Sequence, residues 1–256
     1  MISRYRVAIG GTQLDSLDDN LLILDIKHSP LEKQIRQSSV ANLDGYEIAD
    51  TKYIRRTITV TFELHIYDIA ERNAVCQKIN AWAKNGGTMT VSDREGQRLI
   101  VACEQLADIE SARNWTDPLT LVFSSTYSPF WETVAAKTVT LAGKTAKGTL
   151  KMDGNAGDAL VSVTVTAKAA VSSIQLTVGD CVLKLTGLSV AADKQIVVDY
   201  VRQRLLRIRA DGKSVLAKLD PASTDNLRAA CGADTAIAVT ANNSVTAVFT
   251  ARGRWM

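Results

Sequence analysis

The most regular stretch of the sequence is TITVTFELHI at residues 57–66, where apolar and polar residues alternate without a break. Its apolar members are Ile58, Val60, Phe62, Leu64 and Ile66. Successive side chains of a β-strand point to opposite faces of the sheet, and β-branched and aromatic residues favour strands. The stretch therefore predicts a long strand with one buried face.

A helix is predicted directly after this strand. Asp68 and Glu71 form a capping-box pattern, in which the Asp68 carboxylate accepts a hydrogen bond from the Glu71 amide. Apolar residues recur at helical spacing over residues 75–83, and the Asn-Gly-Gly sequence at 85–87 tolerates the backbone conformation that ends helices. We expect about four helical turns, with one apolar stripe docked on the sheet.

The region after the helix predicts a β-hairpin. Residues 88–91 and 98–106 are rich in strand formers, and they flank a turn-forming Ser-Asp-Arg-Glu-Gly sequence at 92–96. The other strands predicted in this half of the chain lie at residues 4–9, 21–26 and 119–126. This half is therefore expected to be a β-sandwich or barrel-like domain that carries one helix.

Charge divides the 256-residue chain into two parts. Residues 1–136 carry 14 Lys and Arg against 18 Asp and Glu, a net charge of −4, whereas residues 137–256 carry 16 against 9, a net charge of +7. The second part contains no Glu and is rich in Thr, Ala, Val and Gly. Such a change of composition predicts two domains, which we place at residues 1–133 and 134–256.

The second domain is predicted to be all-β. Short runs of strand formers alternate with turn formers such as Asp-Gly-Asn at 153–155 and Asn-Asn at 242–243. We interpret residues 236–240 and 245–251 as two separate strands and residues 223–230 as a helical turn. Regular short strands of this kind are typical of a β-sandwich or jelly roll. The expected fold class is therefore mainly β with one α-helix.

Membrane and metal-binding classes are not favoured. No apolar run approaches the roughly 20 residues that a membrane span needs, and the N-terminus lacks the pattern of a secretory signal, so we expect no membrane association and synthesis in a cytoplasm. The cysteines are Cys76, Cys103, Cys181 and Cys231. Their wide spacing predicts buried free thiols rather than a zinc site or a disulfide framework.

The sequence offers little for catalysis. Its histidines are His28 and His65, and it has no nucleophile, zinc-protease, phosphate-loop or dinucleotide motif. An acid pair for glycoside hydrolysis would draw on the aspartates around Asp18, which we interpret as a solvated turn. The arginine-rich residues 202–209 predict an exposed strand or protomer interface rather than a nucleic-acid site, because they lack aromatic stacking partners. We therefore expect no enzyme, no metal and no cofactor.

The order of these features resembles the distal tail (Dit) proteins of long-tailed phages. In the first half, the resemblance rests on Leu-Asp-Gly at 43–45, YIRRTITVTF at 53–62, Ile-Asn-Ala-Trp at 79–82, and a hairpin that contains Asp93 and Arg98. In the second half, it rests on Thr-Leu-Val-Phe at 120–123, Tyr-Ser-Pro-Phe-Trp at 127–131, Asp-Gly-Asn at 153–155, and the closing residues 245–255. The resemblance implies a ring-forming N-terminal tail domain and a galectin-like C-terminal β-sandwich.

The resemblance also implies a structural role in the virion. Family members form a hexameric ring at the distal end of the tail tube, with the N-terminal domains building the ring and the C-terminal domains on its rim. The implied partners are other copies of the chain, the tail tube protein, the tape-measure protein, the tail-tip or baseplate hub protein and a receptor-binding protein. DNA would pass through the channel without sequence-specific binding. The implied location is the tail tip, after assembly in the bacterial host cytoplasm.

A ring is the outcome of a head-to-tail interface that closes, and exposed strand edges are suited to pairing between subunits. We therefore expect strand 57–66 and hairpin 88–106 to contribute to subunit contacts. The residues expected at the interface are Arg55, Arg56, Thr59, Glu63 and Arg98.

Two alternatives belong to other functional classes. A carbohydrate-binding adhesin module that recognises host cell-surface glycans would depend on an exposed aromatic residue such as Trp131 or Trp255. An enzyme acting on cell-wall polysaccharide would depend on a carboxylate such as Asp18. The sequence shows neither an aromatic row nor a buried acid pair, and so favours neither alternative.

Overall fold

The structure is a computed structural model that describes residues 5–38, 47–108 and 117–256. The Leu-Asp-Gly sequence at 43–45 lies outside the described residues. The chain separates into two compact units, Met1–Trp131 and Glu132–Met256. The division falls two residues before the expected boundary.

The first unit contains nine strands and one α-helix within the described residues. They are β1 (Val7–Ile9), β2 (Thr12–Gln13), β3 (Leu21–His28), β4 (Glu32–Ser38), β5 (Glu47–Arg55), β6 (Thr57–Leu64), α1 (Ile69–Lys84), β7 (Gly87–Val91), β8 (Gln97–Gln105) and β9 (Leu119–Ser125). The main antiparallel sheet has the order β2-β1-β7-β8-β9-β6-β3. Among the described residues, strands β4 and β5 pair only with each other and form a separate two-stranded ribbon, which we call the arm.

Strand β6 confirms the prediction made from residues 57–66. It lies between β3 and β9, and its residues alternate between a fully buried face and a half-exposed face. Ile58, Val60 and Phe62 have no exposed surface and form part of the core of this unit. The regular strand ends at Leu64, two residues earlier than predicted.

Helix α1 confirms the capping prediction. The Asp68 carboxylate accepts a hydrogen bond from the Glu71 amide at 2.8 Å, and the helix ends at Lys84. Gly86 has φ +59, and a Cβ atom there would lie 2.2 Å from the Val101 carbonyl oxygen. A side chain at this position would therefore clash with β8, so the chain can turn out of the helix here only with glycine. The buried stripe of the helix consists of Arg72, Val75, Cys76, Ile79 and Ala83.

The second unit is built from strands alone, apart from one short 3₁₀ turn at Leu216–Lys218. Its strands, together with β10 at the division, are β10 (Trp131–Thr133), β11 (Lys137–Lys151), β12 (Asp158–Leu160), β13 (Ser162–Ala167), β14 (Val171–Val178), β15 (Cys181–Val190), β16 (Gln195–Val201), β17 (Leu205–Ala210), β18 (Lys213–Ser214), β19 (Arg228–Ala230), β20 (Asp234–Ala251) and β21 (Arg254–Trp255). With α1 as the only α-helix in the described residues, the predicted class of mainly β with one helix is confirmed.

The long pair β11–β20 organises the second unit. Strand β20 pairs with β11 through residues 234–240 and 245–251, and on its other side it pairs first with β14 and then with β13. The register of β11 and β20 shifts at Gly143, where φ is +133, so both strands bend there. One half of the pair continues into β14 and β15, and the other half continues into β13, β16, β17 and β18. The bend therefore lets one continuous pair contribute to both halves of the sheet.

Two local predictions for this unit were wrong. Residues 236–240 and 245–251 belong to one strand, β20, because the Asn242 side chain accepts hydrogen bonds from the amides of Ser172 and Ser173 at 2.9 and 3.1 Å. Asn242 thus fixes a bend beside β14 instead of reversing the chain. Residues 223–230 form no helical turn, because the Ser223 and Thr224 side chains bind the edge of β15 and Arg228–Ala230 pairs with β12 as β19.

No helix in the described part of the chain is long and apolar enough to span a membrane. The four cysteines are free thiols, but only Cys76 is fully buried and the other three are half-buried. Burial raises the pKa of the Cys76, Cys103 and Cys231 thiols, because desolvation disfavours the thiolate. These cysteines are therefore poor nucleophiles.

Candidate assembly surface

One face of the main sheet of the first unit is lined by half-exposed residues in the described part of the chain. On β6, Thr57, Thr59 and Thr61 are half-exposed, whereas the alternate residues are fully buried. The strand register places Thr120 of β9 opposite Thr61. Thr88 and Thr90 of β7 are likewise half-exposed and alternate with the buried Met89 and Val91. We call the surface formed by these threonines, together with Glu63 of β6 and Arg98 of β8 on the same side of the sheet, the threonine face.

Three of the predicted interface residues lie on the threonine face. Thr59 and Glu63 are on the half-exposed side of β6, four residues and about 13 Å apart. Arg98 is on β8, on the same side of the strand as Ala102, which the register places opposite Ser124 of β9. Glu63 is paired with His65, whose Nε2 lies 3.2 Å from the Glu63 carboxylate. The structure therefore brings Thr59, Glu63 and Arg98 to one surface.

Arg55 lies elsewhere, at the base of the arm. Its guanidinium binds the Glu32 carboxylate at 3.0 Å and the Glu104 carboxylate at 3.1 Å. Glu32 is the cross-strand neighbour of Arg55 within the arm, and Glu104 is on β8 of the main sheet. Both hydrogen bonds raise the pKa of Arg55, the one to Glu32 having the larger effect. Arg55 thus ties the arm to the sheet while remaining on the surface.

Arg56 is buried, with 5% of its surface exposed. Its Nε donates a hydrogen bond to the Pro129 carbonyl at 3.3 Å, and its backbone amide donates to the Ser125 hydroxyl at 3.0 Å. Desolvation, and to a lesser extent the positive charge of Arg94, lowers the pKa of Arg56. In the single chain Arg56 therefore positions the β5–β6 junction rather than contributing a free side chain.

The arm exposes large apolar side chains on both of its strands. Their exposed fractions are 44% for Ile35, 55% for Ile48, 40% for Tyr53 and 44% for Ile54. Tyr53 contacts the ring of Phe130 edge-on, with 5.8 Å between centroids. An isolated two-stranded ribbon is marginally stable in water, and clustered exposed apolar residues mark interaction surfaces. Sequence reasoning missed the arm, since its apolar residues do not follow a strict period of two.

A compact aromatic cluster fixes the end of β3 to the β7–β8 connection. His28 Nε2 lies 2.7 Å from the Asp93 carboxylate, and the His28 ring meets the Trp131 ring edge-on at 5.6 Å. The Arg94 guanidinium lies over the same tryptophan ring, 5.5 Å from its centroid. These contacts join β3, at one end of the sheet order, to the connection between β7 and β8, which lie toward the other end. The main sheet is therefore strongly curved.

The residues offered for the alternative functions are poorly placed. Trp131, on which the adhesin alternative would depend, has no exposed surface and so cannot stack on a glycan. Trp255 is half-buried. The Asp18 carboxylate accepts a hydrogen bond from the Asn20 amide at 2.9 Å, as in a local turn. No group of three or more potential metal ligands occurs among the described residues.

A cavity of about 570 Å³ opens in the second unit. Its lining is polar and includes Asp158, Asp180, Asp225 and Arg228. No aromatic side chain of the described residues lines it. The cavity therefore lacks the flat apolar surface on which a sugar ring would stack.

Comparison with known proteins gives structural matches only. No family model matches the sequence, and no curated protein matches it. The fold is similar to the crystal structure of the Dit protein of phage SPP1, described as a paradigm of the hub adsorption apparatus in phages that infect Gram-positive bacteria. The TM-score is 0.74 at 15% identity, and the match covers 97% of this chain and 98% of that chain.

Two further matches are chains in structures of the phage P2 baseplate in its activated conformation, one with Ca and one with Sr. Their TM-scores are 0.51 and 0.50, at 10% and 9% identity. They cover 99% and 98% of this chain, and each covers 98% of the matched chain. The resemblance inferred from the order of sequence features is thus confirmed at the level of the fold.

Proposed function

We propose that this chain, which has the fold of a phage Dit protein, is a structural subunit of the tail hub of a long-tailed phage or prophage. In this role six copies form a ring at the distal end of the tail and connect the tail tube to the baseplate or tip. The observation that carries the proposal is the match to the SPP1 Dit protein, since it spans both units of the chain.

The ring requires two different, complementary patches on each subunit, because a head-to-tail interface repeats the same contact around a closed circle. The arm supplies one patch, with exposed Ile35, Ile48 and Ile54. The threonine face, with Thr59, Glu63 and Arg98, supplies the other. Arg55 holds the arm in position through Glu104, and Arg56 fixes its junction with β6.

The remaining roles follow from the position of such a ring. Its partners are the tail tube protein, the tape-measure protein, the tail-tip or baseplate hub protein and a receptor-binding protein. DNA passes through the ring without sequence-specific contacts, and the finished protein resides at the virion tail tip after assembly in the host cytoplasm. The chain acts by assembly rather than by catalysis, and needs no cofactor.

The test is the mass of the purified chain over a range of concentrations, measured by light scattering after size exclusion and followed by negative-stain imaging. We expect six-membered rings with a central hole at high concentration. The variant Ile35→Glu/Ile48→Glu should reduce the ring to monomers, because it places charges in the apolar patch of the arm. Leu205→Glu/Leu216→Glu, at residues 68% and 45% exposed in the second unit, is the matched control and should leave the ring intact.

One outcome would contradict the hub proposal, and another would contradict only the part assigned to the arm. A chain that stays monomeric at every concentration, and does not bind to the ends of purified phage tail tubes, is not a hub ring. Rings that persist in the Ile35→Glu/Ile48→Glu variant would remove the arm from the interface.

A further inference from the structure

The second unit leaves one very long strand edge open. Strand β11 runs for 15 residues, Lys137–Lys151, and β20 is the only strand that pairs with it among the described residues. In an antiparallel pair, half of the backbone N–H and C=O groups of an edge strand point away from its partner. The outer side of β11 therefore presents a row of unpaired backbone donors and acceptors.

The edge of the same sheet at β15, in contrast, is covered by other residues of the second unit. The amides of Asp220 and Thr224 donate to the carbonyls of Lys184 and Val182 of β15, at 2.9 and 2.8 Å. The Ser223 and Thr224 hydroxyls accept hydrogen bonds from the Lys184 and Val182 amides, both at 3.0 Å. The chain thus closes the β15 edge with its own residues. No comparable segment closes β11 within the described part of the chain.

The open edge is also positively charged. Strand β11 contains Lys137, Lys144, Lys147 and Lys151, and no acidic residue. Lys137 is neutralised by Asp153 at 2.9 Å. The other three lysines are exposed, and no ion pair joins them to a carboxylate of the described residues. Asp234 of β20 is the cross-strand neighbour of Lys151, so it lies on the side of β11 that is already paired and not at the open edge.

The positive charge of β11 determines which kind of strand can pair with its open edge. Two copies of β11 side by side would bring lysines together, which disfavours pairing between copies of the chain. An acidic strand would gain both the backbone hydrogen bonds and the opposite charges. Lys147 and Lys151 lie on the same face, about 13 Å apart. Carboxylates four residues apart in an extended peptide have the same spacing.

We propose that the β11 edge binds an extended acidic segment of another protein, which adds to the sheet as a further strand. The carboxylates of that segment pair with Lys147 and Lys151, and its backbone pairs with the open side of β11. This inference concerns the second unit alone and does not rest on ring formation by the first.

The probe is a nine-residue peptide, Thr-Val-Glu-Val-Thr-Val-Glu-Val-Thr, with blocked ends and a fluorescent label. Its binding to the full chain is followed by fluorescence anisotropy at low ionic strength. We expect saturable binding, and no binding of a peptide with lysine in place of glutamate. A third peptide, methylated on alternate backbone nitrogens, should also fail to bind because it cannot complete the strand pairing.

The protein variants use a matched charge change. Lys147→Glu/Lys151→Glu should weaken binding by on the order of tenfold, because two attractive pairs become repulsive. Lys168→Glu/Lys213→Glu alters the net charge equally at exposed lysines outside β11 and should leave the affinity unchanged. Circular dichroism verifies that both variants fold.

Several results would overturn the proposal. These are no saturable binding, equal binding of the N-methylated peptide, and equal losses in the two double variants. The last two would mean that the surface attracts negative charge in general rather than a strand. Self-association of the chain that the Lys147→Glu/Lys151→Glu variant abolishes would instead assign the edge to a second copy.

Discussion

The arm of the first unit and the β11–β20 pair of the second unit are both long antiparallel ribbons, but they differ in what covers them. In β20, Val239, Val245 and Phe249 have no exposed surface and belong to the core of the second unit. In the arm, Ile48 keeps 55% of its surface exposed. Backbone pairing also differs, because β20 pairs with β14 and β13 as well as with β11, whereas β4 and β5 pair only with each other among the described residues. The two ribbons therefore differ both in strand pairing and in side-chain burial. The β11–β20 pair contributes apolar side chains to the core of its own unit, whereas the arm leaves its apolar side chains exposed.

The sharpest test of this comparison is an apolar truncation in each ribbon. Phe249→Ala should lower the free energy of unfolding by about 3–5 kcal/mol, because it leaves a cavity in a closed core. Ile48→Ala in the arm should change it by no more than about 0.5 kcal/mol. Urea unfolding of the full chain, followed by circular dichroism, measures both. A large effect of Ile48→Ala in the monomer would show that the arm is already covered.

The second test concerns the bend of β20, because this bend lets the β11–β20 pair pack on the core of the second unit. Asn242→Ala removes the acceptor for the amides of Ser172 and Ser173 and should cost about 1–2 kcal/mol of unfolding free energy. Ser244→Ala, an exposed neighbour, is the control and should be neutral. If both variants unfold at the same urea concentration as the parent chain, the side chain of Asn242 does not hold the bend.

Sequence reasoning succeeded where the signal was local. Strand β6 and helix α1 follow from a strict period of two and from the Asp68 cap, which depend on residues close together in the chain. The full length of β11 was missed, because Gly143, Lys144 and Gly148 dilute its strand propensity and only pairing with the distant β20 keeps it extended. The bend in β20 was mistaken for a turn, since the Asn-Asn signal at 242–243 does not reveal that the side-chain partner lies 70 residues away.

The candidate surface was predictable only in part, for the same reason. The alternation in β6 is enough to place Thr59 and Glu63 on one face. The burial of Arg56 depends on the Pro129 carbonyl, 73 residues away, and no local pattern indicates it. The arm was missed because no local pattern indicates that its apolar residues stay exposed in the described part of the chain. Local periodicity predicts elements, whereas long-range contacts decide which of their surfaces stay free.

The smallest expected effect compares two cross-strand carboxylate–arginine pairs, one in the sheet of the second unit and one on the arm. Asp199 of β16 faces Arg207 of β17, and its carboxylate accepts a hydrogen bond from the Arg207 Nε at 2.7 Å. This hydrogen bond is the main cause that lowers the pKa of Asp199. A carboxyl whose pKa is lower in the folded chain stabilises the fold above its unfolded-state pKa of about 4, and that stabilisation is lost as the pH falls through the folded-state value.

Asp199→Asn should therefore reduce the free energy of unfolding at pH 7 by at most about 1 kcal/mol, and the difference from the parent chain should shrink as the pH falls below about 4. Glu32→Gln is the matched change on the arm, where Glu32 faces Arg55 across the ribbon. It should not alter unfolding at either pH, because the arm does not contribute to the cooperative core. Urea titrations at neutral and acidic pH measure both. An equal pH-dependent loss in the two variants would mean that the arm unfolds together with the core, and the contrast between the ribbons would then fail.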